Sequence, residues 1–281
     1  MKKELPNYSG AVKKYYTSLE DYYDRTTVYG RFINNGEAYE ITNKDTPRQW
    51  FNFLVNDKFA SVITNKGYGF TSYGGFPYRI TRYNHPTDYI MRTIDGSRDI
   101  IILDLETKQE IDVLKQADDL TCVHAPGHSV ITAKTDHLKV VFTIFTAVND
   151  PCEFWNITIE NTDSKKRNLK ISFRQTWAFM NGFCNCEEIL PDPKLKVEQF
   201  NQKLIASSCS SLMPFPLTGF FMSQNADYTE IKKIEENVGI TINKVPHLNQ
   251  KNAYGGADLK DEESIFTYTV VSLCSESCLD I

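Results

Sequence analysis

Between Glu153 and Phe179 the chain reads EFWNITIENTDSKKRNLKISFRQTWAF. Two runs alternate apolar and polar residues, EFWNITIEN (Glu153–Asn161) and LKISFRQTWAF (Leu169–Phe179), and a polar segment, Thr162–Asn168, separates them. Successive side chains of a strand point to opposite faces, so Trp155, Ile157 and Ile159 look one way and Asn156, Thr158 and Glu160 the other. A connection of Asp, Ser, Lys and Asn between two such runs predicts an antiparallel hairpin. One face of each strand is apolar and has to be covered, which requires sheets to stack.

The same alternation recurs along the chain in FASVIT (Phe59–Thr64), DIIILDL (Asp99–Leu105), LKVVFTIFTAV (Leu138–Val148), GITINKV (Gly239–Val245) and SIFTYTVVSL (Ser264–Leu273). These runs are rich in Val, Ile, Thr, Phe and Tyr and are bounded by Asn, Asp, Gly and Lys, the signature of strands. Helical periodicity is scarce. TPRQWFNFLVN (Thr46–Asn56) is the one candidate helix, with Thr46 as N-cap and Pro47 at the first helical position, and an irregular loop fits it equally well. Strands from about residue 28 onward with no long helix between them give an all-β chain, a large antiparallel sandwich. Residues 1–27, polar and Tyr-rich, are expected to form a short helical or irregular arm outside the sandwich, and residues 222–262, which include TEIKKIEEN, are expected to be loop-rich.

Composition narrows the function. The 281 residues carry 24% charged side chains and a formal net charge of -5, so the basic surface that nucleic acid requires is missing. No apolar run approaches the roughly 18–20 residues that cross a bilayer, and MKKELPNYSGAVKKYY has lysines but no apolar core behind them, so neither a membrane span nor a secretory signal is expected and a cytoplasmic location is. Seven cysteines, an odd number without paired C-x-x-C spacing, read as reduced thiols. Cys184 and Cys186 would share a strand face with no His or second Cys pair beside them, and His124 and His128 flank Pro126-Gly127, which makes a turn of them. No metal or cofactor is expected. Asp118-Asp119 and Glu187-Glu188 are adjacent carboxylates that a strand would point apart, so neither pair is a natural acid–base dyad. The glycines of NKGYGFTSYGG lack a following helix with Lys-Ser or Lys-Thr and read as turn glycines rather than a phosphate cradle. The aromatic residues around Trp50, Tyr68, Phe70, Tyr73 and Tyr78 could offer flat rings to a sugar or could be core.

One series of motifs points to a family. YGRF, then TPRQWFN, then NKGYGFTSY, then RITR (Arg79–Arg82) follow one another within about 55 residues. This order resembles the N-terminal region of the cellobiose phosphorylase family, glycoside hydrolase family ninety-four, which carries a Tyr-Gly-x-Phe strand, a Thr-Pro-x-Pro-Trp-x-Asn segment, a Gly-Tyr type turn and an Arg-x-Thr-Arg segment. The stretch Gly127–Phe179 and the closing run LKDEESIFTYTVVSL are similar to later parts of the same domain. Gln49 stands where the family has Pro, DGSRDIIILDLETKQEIDVL lacks the family's Tyr-x-Arg-Asp and Trp-Ser segment, and residues 200–262 match loosely, which marks a divergent member.

The resemblance implies a galactose mutarotase-like β-supersandwich over residues 28–281. It also implies a chain that lacks the family's catalytic (α/α)6 barrel, expected downstream or on a separate chain. The family's enzymes cleave a β-linked disaccharide with phosphate and inversion, which needs an acid on the leaving oxygen while phosphate attacks the opposite face. That acid is a barrel Asp, so no catalytic residue is expected in this chain. By the same resemblance the loop after ISFRQTWAF reaches the substrate entrance, with Asn181, Asn185, Glu187 and Glu188 as its candidate contacts, and the protein is a homodimer. Trp50, Tyr73, Arg79 and Arg82 are candidate sugar or interface contacts, the arginines pairing with strand-end carboxylates, the barrel or a partner subunit. The expected substrates are a β-linked disaccharide or oligosaccharide and phosphate. A stand-alone sandwich that binds carbohydrate or protein without catalysis is the second reading.

Overall fold

The computed structural model describes residues 29–47, 49–74, 78–81, 98–181, 196–200, 203–208, 217–223, 228–238 and 264–279, and eighteen strands, numbered in chain order, run through them. Six form one antiparallel sheet in the order β1 (Gly30–Ile33), β2 (Ala38–Ile41), β9 (Asp119–Ala125), β10 (His128–Lys134), β11 (Leu138–Thr146) and β12 (Glu153–Asn161). Nine form a second sheet. Its main path is β17 (Tyr228–Val238), β18 (Ser264–Leu279), β13 (Arg167–Asn181), β6 (Tyr78–Thr81), β5 (Gly69–Tyr73), β4 (Phe59–Thr64) and β3 (Phe51–Val55). Strand β7 (Arg98–Asp104) pairs with β13 off this path and carries β8 (Glu110–Asp112). A small third sheet joins β14 (Lys196–Phe200), β15 (Lys203–Ser208) and β16 (Leu217–Met222). The fold is all-β.

Alternation decides which side chains enter the core. Val140, Phe142 and Ile144 of β11 are buried and meet Ile131 of β10, Ile63 of β4, Ile100 and Ile102 of β7 and Leu169 of β13 in one cluster. Strand β4 departs from alternation because all six of its residues are buried, as in a strand covered on both faces.

The EFWNITIEN run is a strand with the faces the sequence dictates, Phe154, Asn156, Thr158 and Glu160 being exposed and the residues between them half-buried. It is not half of a hairpin. β12 pairs with β11 in the six-stranded sheet, whereas β13 pairs with β7, β6 and β18 in the nine-stranded one. The polar segment between them is a crossover, and its two ends are tied to different sheets. Thr162 donates its N–H to His137 O at the β10–β11 turn (2.9 Å), while Asn168 O accepts from Leu105 N just beyond β7 (2.8 Å). Arg167 spans the step, with Nη2 on Asp163 (2.6 Å) and Nη1 on Asp104 (3.1 Å).

Strand β13 is long enough to receive two shorter strands end to end along one side. Leu169 to Gln175 face β7 from Asp104 to Arg98, and Trp177 to Asn181 face β6 from Thr81 to Tyr78. Thr81 and Arg98 are therefore opposite residues only two positions apart on β13.

Two further expectations are corrected. TPRQWFNFLVN forms no helix: Thr46 and Pro47 lie in irregular chain and Phe51–Val55 is β3. Backbone pairing wins there because Trp50 N donates to Asn65 Oδ1 (3.1 Å) and Asn65 N to Trp50 O (2.8 Å), which seats the segment against the end of β4, and Phe and Val favour the strand. The one α-helix among the described residues is α1 (Val113–Gln116), whose first turn is capped by Asp112 accepting from Lys115 N. TEIKKIEEN is not loop but part of β17, whose partner among the described residues is β18. The arm of residues 1–27 and the run GITINKV lie outside the described residues.

Candidate functional site

At the heart of the sandwich the two large sheets share a buried ion pair. Arg98, at the start of β7, is fully buried, and Glu153, at the start of β12, is nearly so. The guanidinium addresses the carboxylate with two donors, Nε to Oε1 (2.8 Å) and Nη2 to Oε2 (2.6 Å). Its remaining donors reach β4, Nη2 to Ser61 Oγ (2.9 Å) and Nη1 to Val62 O (3.1 Å). Ser61 Oγ in turn donates to Glu153 Oε2, and Trp155 Nε1 donates to Oε1. The fork geometry of Arg suits this bidentate pairing. Gly69 makes room for it, since a Cβ there would stand 2.5 Å from Arg98 Nη1 and 1.7 Å from Val62 O.

Trp155 carries the junction to the third sheet, its ring meeting Phe142 (5.5 Å) and Phe221 of β16 (5.4 Å) edge to face. Residues 153–155 thus touch all three sheets. None of Arg98, Glu153, Ser61 and Gly69 was among the sequence candidates. The available signal was an Arg heading the apolar run RDIIILD, with a matching carboxylate heading EFW.

One rim of the nine-stranded sheet gathers three of the candidates. Asn181, the last residue of β13, is opposite Tyr78 of β6; Arg79 of β6 is opposite Met180 on one side and Ser72 on the other; Tyr73 follows Ser72 at the end of β5. The rim rests on a buried hydroxyl pair, Thr71 N donating to Thr81 Oγ1 (2.8 Å) with the two hydroxyls 3.1 Å apart, directly above the Arg98 cluster. From this rim the chain enters residues 182–195. Arg82, Asn185, Glu187 and Glu188 lie outside the described residues, as do Cys184 and Cys186.

Trp50 belongs elsewhere. It lies beside Asn65 at one end of β4, whereas Tyr73 pairs with Phe59 at the other, about 20 Å away at strand rise. Its ring is half-buried and is met edge to face by Tyr29 (5.8 Å) and Tyr39 (5.5 Å). Tyr68 and Phe70 are buried in the core, so these aromatics do not make one platform.

Beside Trp50 a polar nest links the sheets. Asn52 Nδ2 donates to Ala125 O (2.9 Å), His128 O (3.0 Å) and Ser129 Oγ (3.1 Å), and Ser129 Oγ lies 2.9 Å from His124 Nδ1. Desolvation pushes the His124 imidazole down to about 4, against the pull of a hydrogen bond to the Trp50 backbone, and burial pushes the Cys122 thiol up. Pro126-Gly127 is the β9–β10 turn, so His124 and His128 sit on opposite faces of a hairpin. Among the described residues no three His, Cys, Asp or Glu converge as metal ligands.

The model of the glycosyl hydrolase 94 supersandwich domain matches residues 37–182, just over half of the chain. The chain belongs to glycosyl hydrolase family 94. It is 29% identical over 153 residues to a 3-O-beta-D-glucopyranosyl-beta-D-glucuronide phosphorylase of Paenibacillus borealis, covering 53% of this chain and 18% of that protein. It is 25% identical over 150 residues to a solabiose phosphorylase of the same organism (51% and 19%), and 28% identical over 150 residues to an N,N'-diacetylchitobiose phosphorylase of Vibrio furnissii (50% and 18%). The match thus spans less than a fifth of each of these relatives. In the family 94 chain it encloses the Arg98–Glu153 pair and ends one residue after Asn181.

Proposed function

We infer that this family 94 chain is the supersandwich component of an inverting disaccharide or oligosaccharide phosphorylase, supporting a catalytic (α/α)6 barrel carried downstream or on a separate chain. On this reading it also contributes to a homodimer interface and to the substrate entrance, and it works in the cytoplasm. The observation that carries it is the supersandwich match itself, together with the three relatives above, each named as a phosphorylase. The rim of Tyr73, Arg79 and Asn181 supports the entrance role, because three strands bring these positions together where residues 182–195 begin. Neither a catalytic residue nor a cofactor is assigned to this chain. No helix among the described residues is long and apolar enough to cross a membrane.

The test is phosphate release from glucose 1-phosphate with glucose, N-acetylglucosamine or cellobiose as acceptor, by this chain alone and with the downstream reading frame co-expressed. Release only in the second case is the expected result. Release by the chain alone would move catalysis into the sandwich. Silence in both favours a stand-alone carbohydrate-binding sandwich, a reading that the exposed stacked pair Phe145 and Phe154 also supports.

A further inference from the structure

The outer face of the six-stranded sheet carries an aromatic pair that stays partly in water. Phe145 on β11 and Phe154 on β12 are direct cross-strand neighbours, their rings stacked at 5.1 Å and 19°, and they remain 37% and 46% exposed. Both point away from the core, since Ile144 beside Phe145 is fully buried and Trp155 beside Phe154 turns inward to Phe142. Among the described residues β12 is the last strand of its sheet, on the side of Phe154 turned from Phe145.

The surroundings select the occupant. His128 of β10 is opposite Phe145 on this face, the next row sets Val130 and Thr143 against Asn156, and the row beyond sets Thr132 and Val141 against Thr158, so hydrogen-bonding groups adjoin the rings. The charges farther along are paired within the face, Lys134 with Asp119 (3.4 Å) and Lys139 with Glu160 (3.2 Å), which leaves little to attract a charged ligand. A second copy laid face to face with its strands aligned would set the adjacent lysines of that row against each other. The exposed ring area is roughly 150–200 Å² on the usual size of these side chains, far below the roughly 800 Å² per partner of a stable protein interface. A flat, neutral ligand with an apolar face and hydroxyls at its rim fits, and a β-linked pyranose chain has this shape: its axial C–H bonds make one face apolar while its hydroxyls lie equatorially.

We propose that Phe145 and Phe154 form an auxiliary saccharide contact that takes a neutral β-linked gluco-oligosaccharide, separate from the rim at Asn181. The ligand class rests on the carbohydrate reading of the chain, and the experiment is chosen to be independent of phosphorolysis. Saturation-transfer NMR with cellohexaose and this chain alone should show transfer to the axial protons of the sugar rings. Phe145→Ala and Phe154→Ala should each weaken binding about three- to tenfold, the range of one aromatic contact, with thermal midpoints like that of the wild type because both rings are already partly in water. Phe154→Tyr should retain binding, and Phe220→Ala, which removes an exposed ring of the third sheet, should leave it unchanged. Absence of transfer from the wild type, or equal transfer from both alanine variants, overturns the proposal. Because phosphate release is not read, failure of the phosphorylase reading would leave this result standing, and the reverse also holds.

Discussion

At Glu153 two carboxylate oxygens receive four donors from Arg98, Ser61 and Trp155, and no water is needed to satisfy them. A buried pair of this kind adds little net stability over well-packed apolar residues, yet removing one partner leaves the other charge stranded. Glu153→Gln should therefore cost about 3–5 kcal/mol in urea unfolding, while an apolar double replacement at Arg98 and Glu153 should recover most of that loss. A single variant as stable as the wild type would show that the charge at Glu153 is not what holds the sheets in register. The cluster was hard to read in the sequence because its members are 55 residues apart, and an Arg at a strand start normally reaches solvent. The resemblance drew attention to Asn181, Arg79 and Tyr73, and the strands bring these three positions to one rim. Trp50 drew notice as an aromatic among aromatics, and sequence spacing could not reveal that β4 separates it from Tyr73.

Strands β4 and β5 approach so closely at Gly69 that a side chain there meets the backbone of Val62 at 1.7 Å, and its φ of +147° is one L side chains rarely adopt. Gly69→Ala should cost about 3 kcal/mol or more and displace the Arg98 guanidinium, whereas an alanine at Gly127, an open turn glycine, should cost about 1 kcal/mol or less through its positive φ alone. Comparing the two unfolding midpoints checks this, and equal losses would contradict a packing role for Gly69. At this scale alternation proved informative and pairing did not. EFWNITIEN and FASVIT match their strands to the residue, because side-chain period and β propensity are local properties. Whether Thr162–Asn168 turns back on its own strand or steps to the other sheet depends on Asp104 and His137, which lie far from it in sequence. TEIKKIEEN concealed β17 for a related reason: its pairing partner, β18, begins 26 residues after β17 ends, so the pairing is not a local property.

For the molecule as a whole, acid should loosen the joint between the sheets. The unfolded chain protonates His124 near the ordinary 6.5, the folded chain only near 4, so the unfolded state binds more protons between those values and stability falls as pH drops through them. The loss should total about 2–3 kcal/mol by pH 4, and His124→Gln should remove that part of the slope. Urea midpoints measured from pH 7.5 to 4.5 decide the matter, and parallel profiles for the two proteins would contradict a neutral, buried imidazole.

The end-to-end seating of β6 and β7 along β13 has an evolutionary consequence. Thr81 and Arg98 face residues two apart on β13, so the pairing of β6 and β7 with β13 is set whatever joins those two points. Closing a longer connection between fixed, adjacent ends costs only about 0.6 kcal/mol for each doubling of its length. Descendants of this architecture are thus free to lengthen, shorten or exchange the intervening sixteen residues while the two strands keep their places along β13.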